Sequence, residues 1–156
     1  MTMQRMQSLQ VLMQREQHRC DLAQSALQRA GEVARHAGEQ REQLIAYRSE
    51  YQARWTGQFS RGATMDILQC YRSFMQRLDQ AVAMQTRQAE QAELRLAQAR
   101  RELLEAERRV ASVRKLMERR EAEMAHAGRQ REQKLSDEQA QRMGWHAAPI
   151  DRLLPQ

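Results

Sequence analysis

Four histidines, two cysteines and a pair of loop glycines are the residues that could carry chemistry in this chain, and their spacing assigns them none. His18, His36, His126 and His146 share no metal-ligand spacing, and neither Cys-x-x-Cys nor His-Glu-x-x-His occurs. Gly57 and Gly62 are not followed by the Lys-Ser or Lys-Thr that a phosphate-cradling loop needs. Cys20 and Cys70 are too few and too far apart to staple a fold, so they are expected as thiols serving as small apolar residues on helices. The expectation is a protein that is not an enzyme, with no metal, no cofactor and no small-molecule substrate. What remains for it to do is bind other proteins through its surface.

The elements that would present such a surface are helices. Of 156 residues only 4% are aromatic and 29% are charged, while Gln, Arg, Ala and Glu fill most of the chain. These residues, with Met and Leu, lose little rotamer freedom in a helix. An elongated all-α protein is expected rather than a compact core.

The net charge of +6 raises nucleic acid as a partner, but its distribution argues against it. The basic cluster Arg108, Arg109, Arg114, Lys115, Arg119 and Arg120 is interrupted by Glu107, Glu118 and Glu121, whereas a DNA-binding zipper carries an almost unbroken basic run. No apolar run approaches the roughly 20 residues that cross a bilayer. Residues 1–10 lack the apolar core of a signal peptide, so a cytoplasmic protein is expected.

Hydrophobic periodicity fixes the architecture. Over 65–127, Leu68, Tyr71, Met75, Leu78, Val82, Gln85, Ala89, Ala92, Leu96, Ala99, Leu103, Ala106, Val110, Val113, Met117, Arg120, Met124 and Ala127 alternate at intervals of three and four. That heptad seam turns one stripe of a helix toward a partner helix. Residues 6–55 carry a second seam: Met6, Leu9, Met13, Glu16, Cys20, Ala23, Leu27, Ala30, Ala34, Ala37, Arg41, Leu44, Arg48, Tyr51 and Trp55. Gly31 and Gly38 interrupt it without shifting its phase.

Between the seams, Gly57 and Gly62 with Ser60 and Thr64 mark a short break. Thr64 can cap the second helix, with Asp66 offsetting its dipole. So short a break returns the chain on itself, giving an antiparallel hairpin with helix 1 at about 3–56, a loop at about 57–63 and helix 2 at about 64–143. The hairpin at 1–143 would be a single coiled-coil domain, followed by a flexible tail at 144–156.

Folding about residue 60 brings Ala23, Ala30, Ala34 and Ala37 near Ala97, Ala89, Ala92 and Ala83, a narrow alanine waist. Leu44, Tyr51 and Trp55 then meet Leu68, Tyr71, Met75 and Leu78 at the loop end. Met6, Leu9 and Met13 meet Val110, Val113 and Met117 at the other. In that register helix 1 reaches only about Arg119, although helix 2 would run for about 120 Å at 1.5 Å per residue. Past Ala127 the seam positions become Arg131, Lys134, Glu138 and Gln141, so this overhang is either frayed or held by something else.

Tyr47 and Phe74 lie off the seam and are expected to face outward, as a protein-binding patch would. They belong to Tyr47-Arg48-Ser49-Glu50-Tyr51 and Tyr71-Arg72-Ser73-Phe74-Met75-Gln76-Arg77-Leu78, and a third stretch, Glu132-Gln133-Lys134-Leu135-Ser136-Asp137-Glu138, closes the series. The ordered set, with the loop between the first two, resembles the FliJ family of the bacterial flagellar type III export apparatus over about 7–143.

The resemblance implies an antiparallel hairpin similar to the stalk of a rotary ATPase. It implies as partners the flagellar export ATPase FliI with FliH, the export gate FlhA and, beyond them, export chaperones. By position it carries gate binding onto Gln40, Leu44, Tyr47, Tyr51, Phe74, Leu78, Ala81 and Gln85, with Gln85 standing where some relatives have His. ATPase binding falls on Glu132, Gln133, Lys134, Asp137 and Glu138. The location implied is cytoplasmic and peripheral to the inner membrane at the flagellar base. Two alternatives stand beside it: the stalk of a virulence-type III secretion system, and a homodimeric structural coiled coil.

Overall fold

The structure, a computed structural model, describes residues 2–146, so the expectations for 147–156 lie outside the described residues. Two helices make up the fold: α1, Thr2–Phe59, and α2, Met65–His146. They pack antiparallel as an all-α hairpin whose second helix is the longer, and there is no strand among the described residues. The chain falls into two compact units, Glu16–Arg109 and Met1–Arg15 with Val110–Gln156.

Within Glu16–Arg109, every seam residue of both helices is buried or half-buried. Its middle is a cluster of Ala34, Ala37, Ala89 and Ala92 with Leu96 against it. The other four alanines expected there do not join the cluster: Ala83 is exposed, and Ala23, Ala30 and Ala97 are only half-buried. The difference is one of register. Gln40 and Gln85, and Tyr51 and Phe74, meet across the hairpin, and each pair is centred between residues 62 and 63 rather than on residue 60. A centre about two and a half residues later moves every partner about five along.

The turn explains the shift. Gly57 does not end α1, which continues to Phe59. Phe59 falls four residues beyond Trp55 on the same stripe, and its half-buried ring lies 5.4 Å from Trp55 and 5.0 Å, edge-on, from Tyr71. Burying a large ring outweighs the roughly 1 kcal/mol that a glycine costs inside a helix. The chain reverses over 60–64, with Gly62 at φ 101° and its amide donating to the Phe59 carbonyl at 3.2 Å. Thr64 caps α2: its hydroxyl accepts from the Ile67 amide at 3.4 Å and its carbonyl from Leu68 at 3.1 Å, with Asp66 in the first turn.

In the other unit, Met6, Leu9 and Met13 are half-buried while Val110 and Val113 are buried. Met3, Met6, Arg120, Met124, Ala127 and Arg131 line a groove of about 430 Å³. The first turns of α1 thus reach past Arg119, as the later centre requires. From 129 to 145 every residue of α2 is exposed. Gly144, Trp145 and His146, expected in the flexible tail, continue the helix, with Trp145 89% exposed. No helix is long and apolar enough to cross a membrane among the described residues.

Candidate protein-interaction surfaces

The residues expected at the export gate lie on 40–51 and 74–85, within Glu16–Arg109. Tyr51 is their centre because its seam position turns it inward. Its ring lies 4.4 Å from Phe74, 6.2 Å from Tyr47, 6.3 Å from Tyr71 and 5.9 Å from Trp55. Offset and tilted rings at such separations attract beyond their area burial, so this patch is both core and surface. Tyr47, at 47% exposure, is its solvent-facing member. Phe74, expected to face outward, is half-buried because it leans onto Tyr51.

Leu78 is buried and Leu44 half-buried on the seam, so both hold the coil together; Ala81 is half-buried beside them in sequence register. Gln85 breaks the hydrophobic seam but has partners for its amide. Its Nε2 donates to the Ala37 carbonyl and to Gln40 Oε1, each at 3.2 Å. Gln40 remains exposed, so this pair ends the patch with a polar edge. An ion pair between Arg48 and Asp79, which reading the seam missed, bridges the helices at the same level. Arg48 stands at a seam position, and that polar interruption was the available signal for a cross-helix acid.

The residues expected at the ATPase lie on α2 in the unit formed by Met1–Arg15 and Val110–Gln156. Glu132, Gln133, Lys134, Asp137 and Glu138 are all exposed and share two turns of uninterrupted helix. Their mixed charges suit hydrated contacts rather than a dry apolar dock. Leu135, 61% exposed, is the apolar side chain among them.

No group of three or more His, Cys, Asp or Glu is placed to hold a metal ion among the described residues. Cys20 is half-buried, but Cys70, expected as a small apolar contact, is exposed because it falls on the outer side of α2 between Leu68 and Tyr71.

Comparison with curated proteins and with solved structures gives no significant match. A family model, described as flagellar FliJ protein, matches residues 5–148, which spans both candidate surfaces and the turn between the helices. The match covers nearly the whole chain, and the chain belongs to the FliJ family of flagellar proteins.

Proposed function

We propose that this flagellar export component is an adaptor that binds the export ATPase FliI with FliH and links it to the export gate FlhA. In this reading it promotes ATPase assembly and the delivery of substrates or chaperones, in the cytoplasm at the inner-membrane face of the flagellar base. The observation that carries the reading is the long exposed end of α2. A helix whose residues 129–145 are all exposed draws little stability from its own chain, since most helical stability comes from packing an apolar face. A partner that grips that end supplies the missing packing.

The aromatic patch supports a second contact. Tyr47 leaves much of a large ring in water beside Tyr51 and Phe74, an arrangement that binding to another protein rewards. Tyr47→Ala is expected to weaken binding to the purified cytoplasmic domain of FlhA at least tenfold, measured by calorimetry, with helicity by circular dichroism unchanged. Combining it with Phe74→Ala is expected to weaken binding further. Affinity unchanged in the double variant would dismiss this face as the gate contact.

A further inference from the structure

Gln85 occupies a seam position, where an apolar side chain is the rule, and its amide nitrogen is fully committed within the hairpin. Nε2 carries two hydrogens: one goes to the Ala37 carbonyl and the other to Gln40 Oε1, each at 3.2 Å. A backbone carbonyl only accepts, so it fixes which end of the Gln85 amide is the nitrogen. Gln40 is fixed in turn. An amide nitrogen cannot accept, so Gln40 has to meet Gln85 with its oxygen. The Gln40 nitrogen, with two N–H donors, is then left for water or a partner.

Its position favours a partner. Val33, Gln40 and Tyr47 stand seven residues apart on α1 and are all exposed, so they share one face of the helix. At 1.5 Å per residue Gln40 lies about 10 Å along that face from Tyr47. Beyond it the face borders a groove of about 450 Å³ whose lining includes Val33, Ala37, Gln40, Gln85 and Gln88. The aromatic patch and the amide pair both belong to Glu16–Arg109. A protein that covers Tyr47 and reaches Gln40 strips water from the two donors, and donors buried without an acceptor are costly. It has to answer them with oxygen.

We propose that Gln85 is a positioning residue of this face and not itself a contact: it acts through Gln40, whose outward N–H donors select a partner that presents an acceptor oxygen, a carbonyl or a carboxylate. The proposal rests on the reading of this face as the gate contact. It gives the polar break in the seam a use, since an apolar residue at 85 would keep the seam closed but leave the Gln40 amide free to turn.

NMR of the full chain tests the positioning without a partner. Gln85→Leu is expected to move the Gln40 side-chain amide signals to those of exposed glutamines such as Gln133. Gln40 signals already at those positions in the native chain, or unmoved by Gln85→Leu, would overturn the proposal. Calorimetry against the purified cytoplasmic domain of FlhA tests the selection. Gln40→Ala is expected to weaken binding about fivefold and Gln85→Leu about threefold, with the double variant no weaker than Gln40→Ala alone. Losses that multiply to about fifteenfold would mean that Gln85 acts independently of Gln40, and would overturn it. Gln40→Glu keeps the size and loses the donors, so it should weaken binding at least as much as Gln40→Ala; a loss that eases at raised salt marks the acceptor as a carboxylate, and one indifferent to salt marks a carbonyl. Affinity kept by Gln40→Glu contradicts the selection. Tyr47→Ala separates the two levels of the reading: if it weakens binding while Gln40→Ala does not, only this proposal fails, and if neither weakens binding, the gate reading falls and this proposal with it.

Discussion

Gly38 sits in the middle of α1 with open space where a side chain would be, since a Cβ added there would meet nothing within 4 Å. Nothing in the hairpin requires a glycine at that position, and Gly38→Ala is expected to stabilise the protein by about 0.5–1 kcal/mol, read as a higher urea midpoint at unchanged slope. Gly62 is the opposite case. Its φ of 101° belongs to the left-handed region, so Gly62→Ala should lower stability by about 1 kcal/mol or more although its surroundings are just as open. The aromatic residues divide in the same way. Phe74→Ala removes a ring from the Tyr51 cluster and should cost about 1–3 kcal/mol, while Tyr47→Ala, at the exposed edge, should cost well under 1 kcal/mol. A stability measurement on each single variant therefore separates the patch's structural part from its binding part.

The two helices show what periodicity transmits and what it does not. Every seam position from Met6 to Trp55, and from Leu68 to Ala127 except Met124, which is 40% exposed, is buried or half-buried, because a three-four alternation has only one way to face a partner helix. Membership of the FliJ family was legible too: the resemblance read over about 7–143 agrees with a family match over residues 5–148. The turn was not read as accurately. Gly57 resembles a helix end when taken locally, and only the ring of Phe59 packing on Trp55 and Tyr71 carries α1 through it. That displacement propagates: the reversal is centred about two and a half residues after residue 60, which leaves Ala83 in water. Side-chain consequences were hidden for a different reason. Periodicity marks Glu16, Arg48 and Gln85 alike as polar interruptions, yet Gln85 and Arg48 find partners across the hairpin and Glu16 does not. Which outcome applies depends on the residue opposite, and therefore on a register that the turn sets.

At the scale of the whole molecule, the hairpin makes each chain its own coiled-coil partner. The alanine cluster takes Ala34 and Ala37 from α1 and Ala89 and Ala92 from α2, so within Glu16–Arg109 the two seams face each other. Light scattering coupled to size exclusion is expected to give the monomer mass of 18.4 kDa at micromolar concentration, whereas a dimer mass would favour the structural coiled-coil alternative. The central claim is that the exposed end of α2 acts on the export ATPase. Turnover of the cognate FliI, measured with and without this protein, tests it most directly. The full chain should raise turnover, and a variant lacking residues 130–143 but retaining the hairpin's helicity should not; equal stimulation by that variant would contradict the account.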